Sequence, residues 1–329
     1  MRALTIAVLV LSGLWFGYWV IASRGMDAGV KAWLGGLQAD DVAVEWSDLS
    51  VRGFPNRFDL TINDPVIGVP ERLQWRAAFF QMLTLSYAPY HLIAVWPDSQ
   101  TLTTPAQTIT LTNQKARASV HFRPVPSLPL DHVELVVDQG TLTSTLGWAS
   151  RFAQARFATR LRPDLANAHQ LGLEVTGLAP PAGLSAMIQA AEPLPDVVAM
   201  VHADVMVLPD VPLDRHAFSG DGPQIARLEL ADIRLQWGTI GFEASGTLTR
   251  SASGRAEGSI DIRLQDWRGL VSLLASLGAI DDLTIATLTR ALEVLETLDP
   301  DPAILDVPIV FADDRGTIAG LPLLASPEF

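Results

Sequence analysis

The chain contains no cysteine among its 329 residues. Disulfides, cysteine-based metal sites and a thiol nucleophile are therefore excluded, while the compartment stays open. Positive charge is also scarce: 23 Lys and Arg stand against 36 Asp and Glu, a formal net charge of −13. No basic run occurs, which excludes a nucleic-acid partner, because phosphate binding needs clustered cations. The same balance repels anionic headgroups, so a lipid contact should be mainly apolar. Hydrophobic residues make up 49% and charged residues only 18%. Disordered chains combine low hydrophobicity with high net charge, so most of this length is expected to fold.

Motifs for catalysis are missing too. There is no G-x-S-x-G elbow and no G-x-x-x-x-G-K-[ST] loop. The histidines are His91, His121, His132, His169, His202 and His216, and no two stand at i, i+4 in a helical stretch. His202 and Asp204 share a strand face and are a candidate metal pair, set against a plain surface pair beside a core strand. Carboxylates adjoin at Asp40-Asp41, Asp281-Asp282 and Asp313-Asp314. Neighbours on a strand point to opposite faces, so capping and turns explain these pairs better than acid–base work. The expectation is a protein that is not an enzyme and has no metal and no cofactor.

One long apolar run is present. Ala3 to Ala22 carries no charged side chain, and twenty helical residues span ~30 Å, a bilayer's hydrocarbon core. Trp15, Tyr18 and Trp19 cluster toward its far end, where amphipathic rings favour the membrane–water interface. Cleavage near Ala22 is the competing reading, but a secretory h-region is typically ~7–15 residues and this run is longer. Residues 1–24 are therefore read as an uncleaved signal anchor that partners the membrane through residues 3–22, with the body outside the cytoplasm.

Met26, Val30, Trp33, Leu34 and Leu37 then fall at helical spacing. This predicts an amphipathic helix and linker over residues 25–40, ending near Gly35-Gly36. Beyond it the period changes to alternation. Val42-Val44-Trp46, Phe58-Leu60-Ile62, Leu83-Leu85-Tyr87, Ile109-Leu111, Ala116-Ala118-Val120-Phe122, Val133-Leu135-Val137 and Leu171-Leu173-Val175 read as strands. Ile225 to Leu264 reads as neighbouring antiparallel strands with a turn at Ser251 to Gly254.

Two helices follow. Asp266 caps the first, which Gly278 stops, and the second starts near Asp281-Asp282 and ends at Asp299 to Pro302. A final hairpin turns between Asp313 and Gly316. The expected fold is mainly β (α+β): the transmembrane helix, then a large curved antiparallel sheet over residues 41–329 with two or three packed helices. Ala179 to Pro195 is the candidate boundary between two halves.

The anchor, VRGFPNRFDLTINDP (Val51 to Pro65), LSYAPYHLIAVWP (Leu85 to Pro97) and LDVPIVFADDRGTIAG (Leu305 to Gly320) together resemble the bacterial family called domain of unknown function 2125. The resemblance runs nearly end to end, and it implies no activity and no catalytic residues. FEASGTLTRSASGRAEGSIDIRL (Phe242 to Leu264) is similar, more loosely, to the β-groove of AsmA-type envelope proteins implicated in lipid movement. These likenesses imply a single-pass protein of the bacterial inner membrane with its body in the periplasm.

Two sets of side chains are candidate contacts. Arg52 and Arg57 flank Gly53-Phe54-Pro55, either as a clamp for a lipid phosphate or an acidic partner, or as a bulge in which Phe54 plugs the core. Tyr87, Tyr90, Trp96 and Trp237 are candidate ligand-groove aromatics, with core packing as the alternative. Many amphipathic strands against few helices leave part of a sheet face without cover, and open apolar patches mark binding sites. Two functional expectations follow: lipid or another apolar ligand on a concave β surface, or an envelope assembly factor that binds another protein there.

Overall fold

The computed structural model describes residues 1–39, 42–69, 71–217, 222–298, 304–318 and 321–329. Asp40-Asp41 and the expected helix stop at Asp299 to Pro302 lie outside the described residues. The fold is mainly β, its strand pairings antiparallel, as the alternation predicts. The chain divides into two compact units: residues 1–124 with 135–147, and residues 125–134 with 148–329. The candidate boundary at Ala179 to Pro195 thus lies inside the second unit, where Leu184, Ile188 and Leu194 pack into its core.

The first unit opens with α1 (Arg2–Ala39), one continuous helix. It is long and apolar enough to cross a membrane. It does not end at Gly35-Gly36. Two helical glycines cost ~1 kcal/mol each, but Leu34 and Leu37 on either side pack into the unit's core, and tertiary packing prevails. Trp33, at the edge of the predicted stripe, is exposed.

The strands of this unit are β1 (Ala43–Glu45), β2 (Asp48–Arg52), β3 (Arg57–Asn63), β4 (Val66–Val69), β5 (Leu73–Ala77), β6 (Phe79–Leu85), β7 (Ala88–Trp96), β8 (Ser99–Thr103), β9 (Thr108–Thr112), β10 (Lys115–Phe122) and most of β11 (Leu130–Ser144). They come in bent pairs. β3 runs into β4 through Asp64-Pro65, β5 into β6 through Ala78, and β7 into β8 through Pro97-Asp98. One half of each joins the ladder β2–β3–β6–β7–β10, and the other joins β1–β4–β5–β8–β9–β11. The bends stay in register through Asp64 N–H donating to Ala78 O (3.0 Å) and Asn113 N–H to Asp98 O (2.8 Å). Leu34, Val44, Leu49, Leu60 and Ile62 form the core between α1 and these strands.

Helix and strands are laced further along α1 as well. The indole of Trp15 donates to Pro55 O (3.0 Å), that of Trp19 to Arg57 O (2.9 Å), and the Tyr18 hydroxyl to Ser86 O (2.6 Å). These acceptors sit in the tips of the β2–β3 and β6–β7 hairpins. Phe54 therefore does not plug a strand core. It stands half exposed at the tip, edge-on to Phe16 and Trp19.

The second unit is a meander of β12 (Ala149–Leu161), β13 (His169–Thr176), β14 (Met200–Pro209), β15 (Ile225–Trp237), β16 (Ile240–Arg250), β17 (Ala256–Gln265), β18 (Ile304–Ala312), β19 (Arg315–Ile318) and β20 (Leu321–Ala325), each paired with the next. The short α2 (Leu184–Met187) precedes β14, and α3 (Trp267–Ser276) with α4 (Asp282–Leu298) lies between β17 and β18. Asp266 caps α3 by accepting from Gly269 N–H (3.1 Å), and Asp281 caps α4 by accepting from Thr284 N–H (3.0 Å). The Asp313-Asp314 pair makes the β18–β19 turn, both residues at positive φ.

Register gives the meander two unlike faces. On one, Phe157, Leu173, Ala203, Ile233, Ala244, Ile262 and Val307 lie opposite one another across successive strands. On the other, the row one residue away reads Arg156, Glu174, His202, Arg234, Glu243, Arg263 and Asp306. Its signs largely alternate, the arrangement that favours cross-strand pairs.

Candidate apolar ligand site

The site is built on the apolar face of the second unit. α3 lays Leu270, Val271 and Leu274 over β16–β18, and α4 brings Leu288 and Leu292 beside them. Each helix carries most of its leucines on one stripe (Leu270, Leu273 and Leu274 on α3; Leu288, Leu292 and Leu295 on α4), so it must bury that side on a sheet. The two helices do not meet the sheet everywhere. They leave a cavity of about 450 Å³ walled by Phe242, Ile262, Leu264, Val307, Ile309 and Ile318 from the strands. That volume falls within the ~300–1,000 Å³ of small-molecule sites. Thr284 and Thr287 are the polar residues among its walls. Ile280 of the loop between the helices and Leu283 of the first turn of α4 complete the lining, the latter 78% exposed.

The far ends of the two helices are clasped. Both terminal guanidinium nitrogens of Arg268 reach the Glu296 carboxylate at 2.8 Å, and the guanidinium lies 4.2 Å over the Trp267 ring. The Glu296 carboxyl is held below its usual range by this hydrogen-bonded cation. Asp281 is lowered likewise, by the Thr284 backbone and hydroxyl. The cover is thus held at the clasp and at the α4 cap, and Leu283 gives the cavity an exposed apolar edge.

Beyond the helices the same face continues without full cover. Phe157, Leu171, Val175, Val201, Ala203, Val205 and Ile233 are only partly buried, and Leu173 is exposed. An apolar track therefore extends from the cavity over β15 toward β12.

The residues singled out in the sequence are not gathered at this site. Trp237 is a core residue, 2% exposed, its indole donating to Pro195 O (2.7 Å). Its row, one step from the cavity wall, points it under the Ala179 to Pro195 segment. Trp96 packs on Phe80 in the first unit, at 5.3 Å between rings. Tyr87 and Tyr90 belong to the β6–β7 hairpin of that unit, Tyr87 in its turn rather than in the strand, and both are exposed. Arg52 and Arg57 flank the neighbouring tip, and Arg57 is paired with Asp59 at 2.8 Å. What the sequence reading passed over is the role of Leu274, Leu283 and Leu288. Leu274 and Leu288 fall on the apolar stripes of the two predicted helices and Leu283 on neither, and nothing in a stripe tells how closely it will meet its sheet.

Among the described residues that line the cavity, none carries a charged or imidazole side chain. Charged groups lie on the opposite face of the sheet, where a cleft of about 700 Å³ is lined by Asp232, Arg234, Glu243, Asp261, Arg263 and Asp306. Arg234 pairs with Asp232 (2.7 Å) and Arg263 with Asp306 (3.0 Å). His202 lies 3.8 Å from Asp232, and Asp204 accepts from the Gln170 amide, so the candidate metal pair is split between two partners. Among the described residues no group of three or more His, Asp or Glu could hold a metal ion.

Residues 19–327 match the bacterial family described as "Uncharacterized protein conserved in bacteria (DUF2125)". Comparisons with curated proteins and with solved structures gave no match.

Proposed function

The chain belongs to this uncharacterised bacterial family, and we propose that it is a single-pass inner-membrane protein whose periplasmic body holds the acyl chain of a lipid. The observation that carries the reading is the cavity under α3 and α4: apolar walls, two hydroxyls, an exposed leucine at its edge and a half-covered apolar track behind it. An acyl chain fits such a lining because burial of its methylenes supplies ~0.8 kcal/mol each without any polar partner. A polar substrate would leave its hydrogen bonds unmade there, at a cost of ~1–3 kcal/mol apiece. The reading is one of binding rather than catalysis, and the anchor supports it by keeping the body beside a lipid source. Binding should depend weakly on salt, since exposed charges are screened within ~10 Å at ordinary ionic strength while apolar burial is not.

The test is photo-cross-linking of the full-length protein in vesicles with palmitate that carries a diazirine on its chain. Cross-links are expected on α3 and α4 peptides, and Leu288→Asp should remove them, because an unpaired charge in an apolar site is strongly unfavourable. Cross-links confined to α1 would mean that the chain meets lipid only through its anchor. The cavity would then be a packing defect, and the track a surface for another envelope protein.

A further inference from the structure

The face that α1 presents to its own unit starts inside the charge-free segment. Trp15, Trp19, Ser23, Met26, Val30, Leu34 and Leu37 follow one another at spacings of four, four and three, twice over. That is a single stripe with a period close to the helical ~3.6 residues. Its upper part, from Met26, packs into the core. Its lower part, Trp15 and Trp19, is hydrogen-bonded to the hairpin tips. Trp15 lies seven residues before Ala22, so the tips reach ~10 Å below the end of the apolar run.

Two arrangements satisfy that geometry. If the body stayed wholly in water, only the residues before Trp15 would be free to span, ~21 Å of helix against a hydrocarbon core of ~30 Å. If the whole of Ala3 to Ala22 is immersed, the tips enter the membrane with it. The tips are made for the second case. Phe54 is 50% and Tyr87 66% exposed; the tyrosine is a type that favours the interface, and the phenylalanine ring is apolar throughout. Part of their backbone is also paired within the protein. Pro55 O accepts from Trp15 and from the Ser86 hydroxyl (3.2 Å). Ser86 N–H donates to Asn56 O (2.9 Å), and Arg57 N–H to Gly53 O (2.9 Å). Internal satisfaction of this kind is what a low-dielectric medium demands of non-helical backbone.

We infer that the β2–β3 and β6–β7 hairpin tips are a second membrane contact, inserting Phe54 and Tyr87 into the phospholipid bilayer beside α1. Arg52 and Arg57 flank the tip and have stems long enough to carry their charges up to the headgroups. The inference rests on α1 spanning the membrane and is independent of the cavity in the second unit.

The absence of cysteine makes the test direct. Single nitroxide labels are placed at Phe54→Cys, Tyr87→Cys, Leu9→Cys within the span and Asp48→Cys at the opposite end of the β2–β3 hairpin. The full chain is reconstituted in vesicles of phosphatidylethanolamine and phosphatidylglycerol. Collision rates are then measured with oxygen, which concentrates in lipid, and with a water-soluble nickel chelate. Labels at residues 54 and 87 should favour oxygen over nickel several-fold, as at residue 9, whereas residue 48 should show the reverse. Nickel access at 54 and 87 equal to that at 48 overturns the inference while leaving the span intact. Low access to both reagents means burial in protein, which overturns it equally.

Discussion

Each unit covers an antiparallel sheet with helix, and the two covers differ in how closely they fit. In the first unit α1 presses Leu34 to 1% exposure against Val44, Leu60 and Ile62. In the second, α3 and α4 carry stripes as apolar, yet leave about 450 Å³ between Leu274, Leu288 and the strands. Protein interiors are packed as densely as organic crystals, and voids much larger than a water molecule are few. A close fit costs nothing to maintain and is the expected outcome for a structural helix. A loose fit forfeits contacts, and on the reading proposed above the space it leaves is the room for an acyl chain. The first cover attaches the body to its anchor. The second encloses a volume.

The comparison is tested most sharply by truncating one leucine on each side. Leu34→Ala should destabilise the α1 seam by ~2–5 kcal/mol, the range for a leucine in a closed core. Leu288→Ala removes a side chain that already borders space, so its cost should fall at the low end or below, ~1 kcal/mol. Hydrogen exchange over residues 23–39 and 282–298 of the two full-length variants measures both. Equal losses would show that the α4 cover is packed as tightly as the α1 seam.

Much of this was legible in the sequence, and the unread part has physical causes. Alternation around Phe58, Ala116 and Leu228 marks β3, β10 and β15, because a half-buried strand writes its burial at period two. Asp266, Gly278 and Asp281 mark helix ends through capping chemistry that is local by nature. β12 is not marked: its alanines and arginines are good helix formers, and only pairing with β13 makes it a strand. The continuity of α1 through Gly35-Gly36 is also set by packing rather than propensity. At the candidate site the sequence shows that Leu288 faces a core, but the gap depends on where α3 and α4 are held. That depends on contacts distant in sequence, among them the clasp between Arg268 and Glu296, twenty-eight residues apart. Trp237 misled for the opposite reason: a large aromatic in a strand reads the same whether it lines a groove or fills a core.

A smaller effect is expected at the cap. Asp281→Ala leaves Thr284 N–H without its acceptor at the first turn of α4 and should loosen that helix by ~1 kcal/mol. Hydrogen exchange should rise in the first turns of α4 and leave residues 23–39 unchanged. A rise in both regions would mean that the two covers are not energetically separate.

The smallest effect concerns acid. The folded-state pKa of Glu296 is depressed by Arg268, so the clasp's contribution is fully present above the ordinary carboxylate value, ~4.3. It is lost as pH falls through the depressed folded value, since protonation there removes the charge that Arg268 holds. The pair is partly exposed, with 53% and 24% of its two side chains accessible, so screening keeps the effect within ~1 kcal/mol. Asp281 shifts in the same direction and adds to it. Acid should therefore loosen α3 and α4 before it loosens α1, whose seam is held by leucine and valine that do not titrate. Exchange measured across the acid range should show residues 267–298 opening first, and Glu296→Gln should reduce the pH dependence of that opening. If residues 23–39 open at the same pH in both proteins, the clasp does not set the second cover, and its looseness must come from the fit of the leucines alone.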